Sequence, residues 1–454
     1  MKSSLFIYLY AVCCFCISVY GTLTGQRNVF MFDNAGYHLY LPAAFIYHDV
    51  GKLSFYPAID SIYQPTGSLK WYSIYPQPTG RKLNKYAIGH SIFEAPFFLT
   101  AHAYTRITGH YPADGYSLPY QLASVISYVI WSLLSLLLLR RFLSYYYGDT
   151  IVLITIATVA LGTSYLYQAA MGGGSHVYGF LLAAAMLYYT HHWHRTYLNK
   201  YLYPMGIITG LALILRPVDA LIITIPLFWG VYSKSTLQKK IRLLRRHSSP
   251  ILLTVILCIA IAMLQMSYWK YTIGQWIYFS YVGEKFDFLH PHISRGLFSY
   301  RKGWFIYTPL ALVAVAGFPF LWKAYKAPTV ALLLTLCIAI YIVFSWTNWW
   351  YGGGFSARAM VDFLPLLALP LAALIYSTVQ SKKIIKLPAS IILLAFICLN
   401  LFQIWQYTQG IIHYDKMTKA YYWRVFGKTH YTEADLQYLM SDKEYWDGIR
   451  AAYN

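Results

Sequence analysis

Residues 250–268 read PILLTVILCIAIAMLQMSY, nineteen positions without one charge. As a helix at 1.5 Å per residue this stretch covers about 28 Å, the thickness of a bilayer's hydrocarbon core. It has no period-2 alternation and no turn signal, so it reads as a membrane-crossing helix. Comparable runs lie at 5–24, 118–139, 150–168, 176–190, 304–322, 328–346, 359–379 and 387–406. The 454 residues are 58% hydrophobic and only 11% charged, with a mean hydropathy of +0.44. Soluble domains carry about 25% charged residues. The chain therefore reads as an all-α polytopic membrane protein.

The residues flanking 250–268 set the orientation. Before it, 233–249 holds six Lys/Arg and no acid; after it, 269–303 holds Glu284 and Asp287. Basic loops stay inside. The run 203–232 has basic flanks on both sides and Arg216-Pro217 in its middle, so it splits into two short spans, 204–215 and 219–232. The stretch 86–104 carries His90, Glu94, Pro96 and His102 and reads as an interfacial or re-entrant helix, because a crossing there would turn 233–249 outward. The expectation is 11 spans, the N-terminus inside and the C-terminus outside, with 5–24 an uncleaved first span. Inner segments then hold 16 of the 36 Lys/Arg and one acid, Asp149. The formal charge of +20 is thus mainly an orientation signal and contact with anionic lipid heads, not a nucleic-acid footprint. The six cysteines lie inside apolar runs, and the one CxxC spacing, Cys13 to Cys16, falls within the first span, so neither disulfides nor zinc are expected.

Fifteen of the 16 carboxylates fall on the outer side, and chemistry that needs a carboxylate belongs there. The outer segments 25–117 and 269–303 are also long, as functional loops tend to be. Residues 1–406 form the membrane unit; 407–454 form a small outer-face tail, with a capping-box pattern at Thr432-x-x-Asp435.

Several constellations stand on this side. Asp33 in Phe32-Asp33-Asn34-Ala35-Gly36-Tyr37-His38 starts a surface helix, and serves either as a helix cap or as a general base facing a membrane-bound substrate. Arg81, Lys82 and Lys85 precede a helix start, a phosphate seat or simple interface snorkelling. Arg216-Pro217-Val218-Asp219 places a guanidinium near the end of a short span, paired with Asp219 or touching a ligand. In Trp349-Trp350-Tyr351-Gly352-Gly353-Gly354-Phe355-Ser356-Ala357-Arg358 the glycines let backbone amides approach an anion, and Arg358 can hold a phosphate through two N–H groups. The loop 269–303 adds Arg295 and a His290-Pro291-His292 pair that reads as incidental rather than metal-binding. Tyr37, His38, His90, Glu94, Trp349 and Trp350 are the candidate lining of a substrate cavity.

The order of these features resembles the GT-C superfamily of polytopic glycosyltransferases: an acid just after span 1, a long outer loop with surface helices, Lys85-Tyr86-x-x-Gly89…Pro96-Phe97-Phe98, Leu215-Arg216-Pro217, and a late Trp-Trp-x-Gly-Gly…Arg. The nearest branch looks like bacterial relatives of protein O-mannosyltransferases and of the lipid A aminoarabinose transferase. The resemblance covers about residues 1–406. It implies transfer of a sugar from a polyprenyl-phosphate carrier to a lipid or glycan acceptor at the outer face of the inner membrane, with inversion. It puts Asp33 on the catalytic acid position and Lys85, Arg358, Arg216 and Arg295 on the donor phosphate. Some relatives carry two adjacent acids where this chain has Asp33-Asn34, so a divalent metal is not indicated and no cofactor is expected. A flippase, transporter, polymerase or ligase for lipid-linked sugars is the alternative.

Overall fold

In lipid, backbone groups must find their partners within the chain, and helix is the local way to do so. The computed structural model describes residues 2–25, 28–67, 72–172 and 174–453, and is predominantly helical. Among the described residues the only sheet is a hairpin pairing Ile74–Pro76 with Lys82–Asn84. Among the described residues six helices are long and apolar enough to cross a membrane: Lys2–Leu23, Leu118–Leu143, Ser248–Ile273, Lys326–Phe344, Arg358–Val379 and Lys383–Thr408. A seventh candidate is Asp149–Leu161 with Tyr165–Met171, bent by 67°. The molecule is therefore an all-α membrane protein.

Contacts between helix ends show how the bundle runs. At one end, here called basal, the Ser3 hydroxyl bonds Asp149, and Arg140 Nε donates to Ser3 Oγ at 2.6 Å. Also at this end, Tyr146 OH bonds His191 Nδ1 at 2.8 Å. At the other end His176, Arg216 and Asp362 meet. The helix His176–Thr196 thus runs the whole height of the bundle, and Asn199–Leu215 returns beside it. Arg358–Val379 is the central helix and the most buried of the six, whereas Lys383–Thr408 lies at the periphery.

Close helix pairing rests on glycines. An added Cβ at Gly206 would stand 2.1 Å from the Thr254 carbonyl oxygen, and at Gly210 2.8 Å from that of Cys258. This Gly-x-x-x-Gly face lets Asn199–Leu215 lie backbone to backbone on Ser248–Ile273, the usual small-residue solution where lipid offers no hydrophobic drive.

Three expected elements differ in detail. The run 304–322 is not one helix but Trp304–Tyr307, Pro309–Val315 and Phe318–Ala324. Pro309 and Pro319 remove donors, and Gly317 presses on the Pro370 carbonyl at a point where a Cβ would be 2.2 Å away. The run 219–232 is a 3₁₀ segment, Pro217–Ile223, followed by Thr224–Phe228. It turns back at Arg216, and Lys240 Nζ reaches both His194 at the basal end and the Pro226 carbonyl, each at 2.5 Å, so the split at Arg216-Pro217 is a hairpin. The stretch 86–104 is a helix, Gly89–Thr108, lying antiparallel to the first half of Leu118–Leu143. Trp131 Nε1 donates to the Phe93 carbonyl at 3.0 Å, and Tyr120 OH meets His102 Nδ1 at 2.7 Å.

Candidate active site

Asp33 is the first residue of the short helix Asp33–His38; the capping position belongs to Phe32, at φ 50°. The Asp33 side chain therefore does not cap its own helix. One carboxylate oxygen accepts from Tyr86 OH at 2.5 Å and Tyr72 OH at 3.5 Å; the other accepts from Arg358 Nη2 at 2.6 Å. Arg358 comes from 325 residues further along the chain than Asp33. The pair still reaches solvent, with Asp33 20% and Arg358 26% exposed. Burial pushes the Asp33 carboxyl up, but Arg358, the Tyr86 hydroxyl and Lys85 outweigh it and hold it below the usual carboxylate range. One small residue makes this possible: the Tyr86 ring lies on Gly36, where a Cβ would be 2.4 Å from the ring.

Arg358 follows the Gly352–Gly354 turn and begins the 3₁₀ segment Arg358–Phe363. Ser356, two residues earlier, holds φ 58°, so both members of the pair sit beside a left-handed non-glycine residue. Such strain costs about 1–3 kcal/mol per residue and persists only where the surroundings enforce it.

Arg216 stands next to this pair. Its Nη2 lies 3.2 Å from Asp219 Oδ1 and also contacts Asp362, while its Nη1 is 3.4 Å from His176 Nε2. His176 Nδ1 meets Asp362 Oδ1 at 3.1 Å. Gly174 joins this cluster to Asp33: a Cβ there would stand 3.6 Å from His176 Cδ2 and 3.9 Å from Oδ1 of Asn34, the residue after Asp33. The result is a partly open mouth with two guanidiniums and three carboxylates: Asp33, backed by phenols, faces Arg358, Asp219 and Asp362 hold Arg216, and Tyr37 is buried against Tyr86 with ring centroids 4.5 Å apart.

The other candidates are placed elsewhere. Lys85 is buried and bonded to Glu284 at 2.6 Å, with Glu284 also accepting from Trp346 Nε1 at 2.9 Å. Its ammonium adds positive field at Asp33 rather than an open phosphate contact. His38, His90 and Glu94 are 1%, 0% and 1% exposed, and lie beneath Tyr37 rather than lining an opening. His38 bridges Glu94 Oε1 at 3.2 Å and the Gly115 carbonyl at 2.8 Å, while His90 stacks on Tyr37 with centroids 4.9 Å apart. Arg295 is exposed on the helix Ile293–Phe298 and forms no ion pair among the described residues; nothing joins it to Asp33. Trp350 does not offer a free face for a sugar: the Arg301 guanidinium sits 3.8 Å from its ring centroid, and Trp349 packs edge-on at 5.7 Å. The aromatic pair is instead a clamp on the tail.

That tail is woven into the site's support. Arg301 Nη2 pairs with Asp415 at 3.2 Å, and Lys302 Nζ donates to the carbonyls of Gly354 and Tyr414. Lys302 thus ties the glycine turn that presents Arg358 to residue 414. Burial, only partly countered by Asp415, holds Lys302 down to about 7. The expected capping box at Thr432/Asp435 is present on Glu433–Leu436. Among the described residues no group of three or more His, Cys, Asp or Glu is placed to hold a metal.

Tyr72, Tyr86, Glu284 as the partner of Lys85, His176 and Lys302 were not singled out by the sequence for these roles. Their signal is tertiary: an aromatic chain offers 46 tyrosines, and nothing local marks the two that reach Asp33. Compared with known family models and with curated proteins, the chain matches none.

Proposed function

We propose that the protein is a polytopic glycosyltransferase that moves a sugar from a polyprenyl-phosphate carrier to a hydroxyl of a lipid or glycan acceptor, inverting the anomeric centre. In this reading eleven segments cross the inner membrane and the Asp33 mouth opens to the outer, periplasmic face. The observation that carries the proposal is the solvent-reachable Asp33–Arg358 pair with Arg216 joined to it through His176 and Gly174. A carboxylate next to two guanidiniums is the set that this transfer needs.

Asp33 takes the proton of the acceptor hydroxyl as its oxygen attacks the anomeric carbon from the face opposite the phosphate. The bond from that carbon to the phosphate oxygen breaks, and the carrier phosphate leaves with the electron pair. Arg358 uses one of its five N–H donors on Asp33; the rest of its fork and Arg216 receive the phosphate. Arrival of that anion draws Arg358 from Asp33, and the carboxylate gains basicity when the donor is bound.

The test is transfer by the purified protein in lipid, offered radiolabelled polyprenyl-phosphate sugars and membrane acceptors. Transfer that depends on the lipid-phosphate donor supports the proposal. Tight binding of the lipid-linked sugar with no transfer to any acceptor contradicts it and favours a flippase.

A further inference from the structure

Beside the basal end of the helix that Arg358 leads into, a groove of about 380 Å³ opens between Phe318–Ala324 and Leu364–Val379. Its wall includes Tyr147, Phe320, Lys323, Tyr376, Ser377 and Gln380. The 22 residues of Arg358–Val379 put this groove about 30 Å from the Asp33 mouth, so it is a separate feature.

Tyr147 is only 8% exposed, and its hydroxyl has no hydrogen-bond partner among the described residues. Its neighbours are satisfied: Tyr146 OH bonds His191, and Tyr325 OH donates to the Tyr146 carbonyl at 3.1 Å. A buried hydroxyl left unpaired is costly, and because Tyr147 is a lining residue of the groove, an acceptor entering there would relieve that cost.

Charge and setting define that acceptor. Lys323 at the rim is exposed and forms no ion pair among the described residues. Between residues 303 and 414 the sole acid is Asp362, at the far end of the bundle, while Lys326, Lys382, Lys383 and Lys386 crowd the near end. Tyr232 and Trp322, 44% and 39% exposed, meet edge to face at 6.4 Å, with Lys326 Nζ 5.5 Å from the Trp322 ring centroid. Exposed aromatics with lysines mark the level of lipid headgroups. The groove floor is apolar at Phe320 and Ala373, which suits a molecule that continues into acyl chains rather than a free ion.

We propose that this groove seats the headgroup of an anionic glycerophospholipid from the leaflet at the basal end. Lys323 receives the phosphate, a headgroup oxygen accepts the Tyr147 hydroxyl, and Ser377 and Gln380 face the remaining polar atoms.

Native mass spectrometry of the full-length protein in detergent tests this, with phosphatidylglycerol and phosphatidylcholine of matched chains in competition. Wild type retains phosphatidylglycerol over phosphatidylcholine by about fivefold or more, the effect of one lysine at a headgroup. Lys323→Gln brings the two lipids to near parity, and Ser377→Phe, which fills the groove, lowers phosphatidylglycerol retention. Tyr147→Phe lowers it too, yet without lipid that variant unfolds no earlier than wild type, since it loses only an unpaired hydroxyl. Equal retention of both lipids by wild type would overturn the proposal, as would phosphatidylglycerol retention unchanged in both Lys323→Gln and Ser377→Phe. Displacement of the lipid by millimolar inorganic phosphate would also overturn it, in favour of a free-phosphate site.

Discussion

Gly179 is the most economical place to disturb the mouth without touching it. It lies on the helix His176–Thr196, where a Cβ would stand 2.6 Å from Asp362 Cγ and 2.7 Å from Oδ1. Ordinary van der Waals contact begins near 3.4 Å, so Gly179→Ala requires the carboxylate to retreat by about 0.8 Å. Asp362 has little room: it is 2% exposed and held by His176 Nδ1 and Arg216. Overpacking of this kind costs about 1–3 kcal/mol, while Ala in place of Gly favours the helix by about 1 kcal/mol. The net loss of stability is therefore about 0–2 kcal/mol, and the larger effect falls on Arg216, whose seat shifts. Affinity for a polyprenyl-phosphate donor should fall about tenfold, about 1.4 kcal/mol, the scale of one weakened charge-assisted hydrogen bond from Arg216. The assay pairs thermal unfolding in detergent with a donor-binding titration. A folded Gly179→Ala protein with wild-type donor affinity would refute the idea that Asp362 positions Arg216 for the phosphate.

Other outcomes follow from the same geometry. Arg358→Gln removes the main influence that holds the Asp33 carboxyl low; since a depressed carboxyl keeps its charge above its own pKa and loses it as pH falls, the acid limb of the transfer–pH profile should move to higher pH. Glu284→Gln leaves the buried Lys85 ammonium without its counter-charge and should cost about 3–5 kcal/mol in denaturant unfolding, much of it recovered by also changing Lys85 to Met. Lys302, held down to about 7, gives a rise of stability with pH: between that value and the ordinary lysine range the unfolded chain binds the extra proton, so unfolding becomes harder as the proton is withdrawn. Wild type should gain about 2 kcal/mol from this group between pH 7 and pH 9, and Lys302→Met should lose that slope.

Which parts of this were legible in the sequence follows from how local each signal is. Apolar runs such as 250–268 announce themselves because hydrocarbon thickness dictates helix length, and the Arg216-Pro217 hairpin shows because two basic flanks must share a side. Asp33, Arg216 and Arg358 stand out because charge beside apolar spans is costly unless it has work or a partner. Their mutual arrangement was hidden. Lys85 looks like an open cation until Glu284, 199 residues away, folds onto it. Trp349-Trp350 looks like a sugar platform until Arg301 and the tail cover it, and Arg295 looks like a site cation until its helix leaves it exposed. Segments with Pro and Gly, such as 304–322, satisfy a hydropathy window yet break, because hydropathy does not register missing N–H donors.

The central claim is that Asp33 performs proton transfer to drive glycosyl transfer while Arg358 holds the leaving phosphate. Its most direct test is the transfer rate of Asp33→Asn at saturating lipid-phosphate donor, measured beside donor binding by the same preparation. The account predicts a rate lower by about 10²–10⁴-fold with donor binding retained, the loss expected for a removed general base. A rate equal to wild type, in a folded Asp33→Asn protein that still binds donor, would contradict it and leave Asp33 as a structural partner of Arg358.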